Sequence, residues 1–471
     1  MSAIRSNINI TPYGGVVPVL KKIKELGIPQ VIRSVLGVRK KQAKYGYEDI
    51  FIAWILTSLC GGLRLDHISK LKKKLDIIPN LKIPSHDTLG LVFKKLATET
   101  KVKRGITKIG KGQITYSEYN INEKLNEMLV KVTKRMGILT QGKKYTLHID
   151  STLIETNCFD AKYSYSTVNG FNPMICLIDD LPIYISMRNG NVAPQFEITK
   201  CLKDCLDLLD KHKIQIGTII SDSAGYNADF IKLINDRHIN FLIRPKVNLK
   251  TERVQDALNN YSEWTRTEIR TSNSIWDCEV GDIPFSIHGS DIKYRLITTK
   301  APRVETIKKN ETDEERIDRE NKEAKMNDLR ERKLVKFSLV FGLYPPKGKP
   351  FEGYEYKFFL TNDHSITPKE VIESYHKRGG EERRFDWMKN DFGWALPSFM
   401  RMNQNTVFMI AAALANNVFR GVVKIFKKEI PQLRLTARLR EFIYEFITVA
   451  CSYMDGVYTF YSTDIAFEKI A

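Results

Sequence analysis

Lys144-Tyr145-Thr146-Leu147-His148-Ile149-Asp150 is the stretch on which the fold of this chain turns. Thr146, His148 and Asp150 alternate with Leu147 and Ile149, the period of two expected of a half-buried strand. The run ends on a carboxylate. Working outward, MICLID (174–179) and LPIYISMRNG (181–190) read as two further strands around a hairpin-like turn at Asp179-Asp180. EITKCLKDCLDLLDKH (197–212) is an amphipathic helix, and TIISDSAGYN (218–227) is a short buried strand ending near Asp222. Asn227 is placed to cap the helix ADFIKLINDRH, and INFLIRPK (239–246) makes another strand. The order β-β-β-α-β-α-β defines an α/β fold. Strand ends of such sheets face a crevice that collects ligand-binding residues. Asp150 and Asp222 are therefore candidate site residues, although an Asp at such a position also serves to cap the next turn.

A second stretch, YHKRGGEERRFDWMK (375–389), carries a chemical stripe. On a helix turning about 100° per residue, Tyr375, Arg378, Glu382 and Lys389 fall within an arc of roughly 60°. A core-facing stripe is apolar, whereas this one combines a phenol, a guanidinium, a carboxylate and an ammonium. Such a mixture suits a metal-binding carboxylate flanked by groups that grip phosphates. Glu381 lies about 100° off the stripe, so the carboxylate role goes to Glu382. Thr367-Pro368-Lys369-Glu370 reads as an N-cap, a proline at the first helical position and a capping-box Glu. Gly379 and Gly380 cost about 1 kcal/mol each in a helix interior and predict a kink there or a close approach to the backbone. The competing reading pairs Arg378 and Lys389 with Glu381, Glu382 or Asp386 on a helix surface. Pairs of that kind contribute under about 1 kcal/mol and require no such phasing.

The 471 residues carry a net charge of +19. Residues 1–140 hold 26 Lys+Arg against 10 Asp+Glu, a net of +16, so the positive field is concentrated in the first third. A polyanion partner, most simply DNA, accounts for that asymmetry. VPVLKKIKELGIPQVIRSVLG, DIFIAWILTSLCGGL and SHDTLGLVFKKLA, the last with Ser85 as N-cap, make this third mostly helical, in keeping with a DNA-binding domain. The seven cysteines show no C-x-x-C pair and no zinc spacing. Together with the lack of a signal peptide they point to a reducing cytoplasm. The apolar run 406–426 is broken by Asn416, Asn417 and Arg420, which fits a buried helix better than a membrane span.

Tyr-x2-Arg-x3-Glu-x6-Lys, preceded by Asp150 and Asp222, resembles the signature of bacterial insertion-sequence transposases of the cut-and-paste DDE type. The resemblance covers about 140 to 420 and implies a ribonuclease-H-like catalytic core interrupted by a β-rich insertion. The expected organisation is a helical basic DNA-binding domain (1–140), a first core segment (141–246), the insertion (247–366), the remaining core with the signature helix (367–425) and a helical C-terminal region (426–471). Asp150, Asp222 and Glu382 are expected to hold two Mg²⁺ ions, with Mn²⁺ a substitute. Arg378 and Lys389 are expected on DNA phosphates, and Tyr375 on a phosphate or a displaced base. The family's hairpin intermediate expels a base onto an aromatic side chain of the insertion, for which Trp264 and Trp276 both stand as candidates. Terminal inverted repeats and target DNA are the implied partners, bound by a homodimer in the bacterial cytoplasm. SMRNGN (186–191) resembles an Arg-Pro-Gly-Asn loop of some relatives, but Asn189 replaces the Pro and the loop receives no role. The alternatives are a domesticated DNA nuclease and a catalytically silent DNA-binding repressor. The charged stretch 304–333 reads as a solvated helix or mobile excursion.

Overall fold

A computed structural model of the chain describes residues 9–106, 114–164, 166–179, 181–245, 252–271, 275–287, 292–302, 354–378, 380–431 and 433–461. The chain divides into two compact units, Met1–Ile243 with Lys377–Ala471, and Arg244–His376.

The first unit opens with helices α1 (Val16–Glu25), α2 (Ile28–Leu36), α3 (Tyr47–Leu59), α4 (His67–Leu75) and α5 (His86–Leu96). Ser85 caps α5 by accepting from the Thr88 amide at 3.3 Å. The central sheet is built from β1 (Lys101–Ile106), β2 (Ile114–Ile121), β3 (Lys144–Ser151), β4 (Met174–Ile178), β5 (Leu181–Arg188), β6 (Gln215–Ser221) and β7 (Asn240–Ile243). Their spatial order is β7-β6-β3-β4-β5-β2-β1. The strand β6 runs parallel to both β3 and β7, and the remaining pairs are antiparallel. Helix α6 (Glu123–Arg135) precedes β3, α7 (Ile198–Lys211) links β5 to β6, and α8 (Ala228–Asp236) links β6 to β7. Asn227 caps α8 through the Asp229 and Phe230 amides. In the central sheet and its helices the expected β-β-β-α-β-α-β order is therefore present from 144 to 243, while Ile154–Glu155, Lys162–Tyr163 and Asn169–Phe171 form a separate small sheet.

Helices α11 (Gly380–Asp391) and α12 (Met402–Phe426) complete this unit. By length and composition α12 is apolar enough to cross a membrane, but nearly all of it is buried within the protein. It shares one apolar core with α1–α6, where Trp54 lies 5.5 Å from Phe408 and 6.3 Å from Phe93. The expected boundary at 140 falls inside this unit. Met187 and Ile185 of β5 join the same core, while Cys176 of β4 meets Cys201 and Cys205 of α7.

The first third is mostly helical as expected, but two stretches of the chain are strand where helix was read around them. Residues 101–106 and 114–121 form the edge hairpin β1–β2. Its Lys101, Lys103 and Arg104 are exposed, as suits an edge strand that must avoid pairing with other chains, and that polarity hid the strand in the sequence. The C-terminal region, expected to be helical, is helical over Leu439–Phe442 and Ile443–Ile447, but Ala450–Met454 is a strand that pairs with both Val457–Tyr461 and Ile10–Thr11.

The second unit contains α9 (Glu252–Asn259) and the antiparallel meander β8 (Thr265–Arg270), β9 (Ile275–Ser286), β10 (Lys293–Pro302) and β11 (Tyr354–Thr361). Helix α10 (Pro368–Lys377) follows, started by the expected capping box: Thr367 Oγ1 accepts from the Glu370 amide at 3.3 Å, and Glu370 accepts from the Thr367 amide at 2.7 Å. Arg295 braces the loop before α10. It pairs with Asp282 at 2.6 Å and donates to the carbonyl of Ile366 at 2.8 Å. The charged stretch 304–333 lies outside the described residues.

Candidate active site

Asp150 closes β3 and Asp222 follows β6 directly. The parallel register aligns Ile220 with His148 and Ser221 with Ile149, so the next pair along the two strands is Asp222 and Asp150. Neighbouring strands lie about 4.8 Å apart, which brings the two carboxylates to one edge of the sheet. Both residues are partly buried. Asp222 Oδ1 accepts from the Ala224 amide at 2.8 Å and caps the short turn Ser223–Gly225, so the turn-capping role is real and occupies one oxygen.

Asp150 Oδ1 accepts from the Ser151 amide at 2.8 Å, and its Oδ2 accepts from Arg378 Nη2 at 2.6 Å. Arg378 lies in the turn between α10 and α11, only 16% exposed. Its bond to Asp150 ties the entrance of α11 to the end of β3. Glu382 sits in the first turn of that helix; its side chain and residue 379 lie outside the described residues.

At the glycine pair, where a kink was expected, the stripe is divided between two helices, α10 ending at Lys377 and α11 starting at Gly380. The glycine pair is the local cause, since glycine there weakens the helix by about 1 kcal/mol per residue. Tyr375 ends up in α10, 7% exposed, with its ring edge-to-face on Phe359 at 5.2 Å. Its phenol ring is packed, not displayed. Lys389 lies on α11, half-buried, and burial pushes its ammonium below the ordinary value while Asp386 opposes the shift.

Sequence reasoning passed over Arg188. This residue of β5 is 1% exposed, and its Nε and Nη1 donate to the carbonyls of Asn172, Pro194 and Phe196 at 2.9–3.0 Å. Burial pulls its guanidinium down to about 10, while Cys201 and the Asp150 carboxylate act the other way. Its Nη2 has no hydrogen-bond partner among the described residues. The signal available in the sequence was the SMRNGN motif itself. Asn189 of that motif is structural, accepting from the Lys162 amide at 2.9 Å and donating to Glu118 at 2.7 Å.

Asp150 and Asp222 present hard oxygen donors side by side, the chemistry preferred by Mg²⁺ and Mn²⁺ over softer ions. Among the described residues no group of three or more His, Cys, Asp or Glu forms a complete metal cage. The third carboxylate expected there, Glu382, belongs to the side chains not described.

In the second unit the two tryptophans differ. Trp264 is locked in place: its indole N–H donates to Tyr261 O at 3.1 Å, and the Tyr261 and Tyr356 rings lie 5.4 and 6.4 Å away. Trp276 lines a cavity of about 270 Å³ with Thr299, Lys357 and His376. His376 meets its ring at 5.2 Å, and Lys357 lies 6.0 Å from the ring centre.

Comparison with known proteins bears on this arrangement. Residues 141–418, more than half of the chain, match the family model of the transposase DDE domain. No curated protein matches the chain. Among solved structures, a piggyBac transposase synaptic complex with hairpin DNA is similar at 12% identity and a TM-score of 0.33, over 94% of this chain and 86% of that one.

Proposed function

The chain belongs to the transposase DDE family, and from that premise we propose that it cuts DNA at the ends of an insertion sequence and joins the freed 3′ ends to target DNA. The observation that carries this reading is the pairing of Asp150 and Asp222 at neighbouring parallel strand ends, with Arg378 tying the helix of Glu382 to Asp150. The seven-stranded sheet is read as a ribonuclease-H-like core and the unit Arg244–His376 as its insertion. Asp150, Asp222 and Glu382 would hold two Mg²⁺ ions, for which Mn²⁺ substitutes, and these supply an activated nucleophile and neutralise the leaving oxygen.

The chain's own residues do the rest. Arg378 grips a phosphate through two parallel N–H bonds, and Lys389, about 10 Å of helix beyond Glu382, adds a point charge further along the DNA strand. The exposed lysines Lys70, Lys73 and Lys74 of α4 belong to the positive face that recognises the terminal inverted repeats. A hairpin end releases a base, and Trp276 receives it, since its ring borders an open cavity whereas Trp264 is already packed. A homodimer holds the two ends together.

The test is cleavage of a labelled duplex carrying the element's end, with Mg²⁺, Mn²⁺ or EDTA, by wild type and Glu382→Gln. Metal-dependent cutting that disappears in the variant while DNA binding survives supports the proposal, and hairpin products support the route. Sequence-specific binding with no cutting under any metal would replace it with a repressor function.

A further inference from the structure

We infer that Arg378 stands in for a cation at Asp150 and thereby couples metal binding to DNA binding, a reading that rests on the transposase site proposed above. Asp150 lies near two guanidinium groups held in different ways. Arg188 is fixed, 1% exposed and bonded to three backbone carbonyls, so it cannot leave. Arg378 is the one that bonds the Asp150 carboxylate, at 2.6 Å from the turn before α11, with both side chains of the pair partly open to solvent, at 16% and 20% exposure. Arg188 is part of a sheet strand, whereas Arg378 belongs to a turn between two helices.

The charges then decide the order of events. Arg378 already neutralises the Asp150 carboxylate through their 2.6 Å pair, so a divalent ion entering beside Asp150 competes with that guanidinium. Binding of the ion displaces Arg378 from Asp150. The freed Arg378 is a planar fork suited to a phosphate oxygen pair, and DNA is the polyanion at hand. Conversely, a phosphate that captures Arg378 uncovers the carboxylate. Thermodynamic linkage requires both effects to have the same size, so metal and DNA raise each other's affinity by one factor.

The experiment measures Mn²⁺ binding to the full chain by the electron paramagnetic resonance of free Mn²⁺, with and without a mixed-sequence duplex DNA. Fluorescence anisotropy reads DNA affinity with and without Mn²⁺. Wild type, Arg378→Gln, Arg378→Lys and the control Asp150→Asn are compared. Without DNA, Arg378→Gln is expected to bind Mn²⁺ about 10-fold more tightly than wild type, the scale of one lost charge-assisted hydrogen bond. DNA is expected to tighten Mn²⁺ binding in wild type and to leave Arg378→Gln unchanged. Arg378→Lys, which keeps the charge and guards against misfolding as an explanation, is expected to fall between them.

Equal or weaker Mn²⁺ binding by Arg378→Gln, or full metal–DNA coupling in that variant, overturns the inference. If wild type still cuts DNA with metal, the proposed function survives that result. Absence of Mn²⁺ binding by wild type with and without DNA, matched by Asp150→Asn, removes both.

Discussion

Replacing Arg438 by Met tests what holds the helix of Glu382 in place. Asp391 is the last residue of α11, and its side chain is 1% exposed. Arg438 reaches it with two bonds, Nη2 at 2.8 Å and Nε at 3.1 Å. Methionine keeps most of the apolar stem and removes the charge, leaving the buried carboxylate without its main partner. Breaking a buried pair from one side costs about 3–5 kcal/mol. Two features lower that figure here: Arg438 is itself 36% exposed, and Arg440 stands 3.7 Å from the same carboxylate. The expected loss is about 2–3 kcal/mol. Hydrogen exchange reports it locally, as a fall of roughly 30- to 150-fold in the protection of α11 amides. The same substitution in an Asp391→Asn background should cost at least about 1 kcal/mol less, because the interacting charge is gone. A loss below about 0.5 kcal/mol, or an equal loss in both backgrounds, would refute the view that this pair anchors the helix.

Other outcomes follow from particular contacts. Gly393 has φ +79°, and a Cβ there would lie 2.2 Å from the Leu63 carbonyl oxygen, so Gly393→Ala should destabilise by at least about 2 kcal/mol in denaturant unfolding; a neutral variant would contradict the packing. Trp276→Ala should slow hairpin formation by about 5- to 150-fold, the worth of one base–aromatic stack, while nicking persists; Trp264→Ala should chiefly lower stability, and the reverse pattern would exchange their roles. Burial chiefly depresses the pKa of both His212 and His376. A histidine depressed in the folded state leaves the proton to the unfolded chain, so its stabilising contribution is present above about pH 6.5 and is lost as pH falls. Thermal unfolding midpoints should therefore drop from pH 7.5 to 5.5, less steeply in His212→Gln and His376→Gln, and a midpoint that rises on acidification would reverse the assignment.

Much of the site was legible in the sequence because its signals are local. Strand alternation in 144–150, the caps at Ser85, Asn227 and Thr367, and the carboxylates at two strand ends need only neighbouring residues to be recognised. The stripe 375–389 was legible as chemistry but not as geometry. Its phasing assumed one straight helix, and the break at the glycine pair puts Tyr375 and Glu382 on separate helices. Edge strands such as β1 carry charge where a buried strand carries apolar residues, so periodicity alone did not find them.

The sequence by itself determined the α/β order, the two aspartates and the basic first third, since backbone period, capping and charge are properties of short segments. Tertiary structure alone decided which partners those residues meet. Arg378 and Asp150 are 228 positions apart, and their bond exists only because the sheet and the turn before α11 come together. Arg188 received no role in the sequence, and only the fold shows that its guanidinium is buried against three backbone carbonyls. The surroundings of Trp264 and Trp276 likewise depend on the fold: Trp264 donates to the Tyr261 carbonyl, whereas Trp276 borders a cavity.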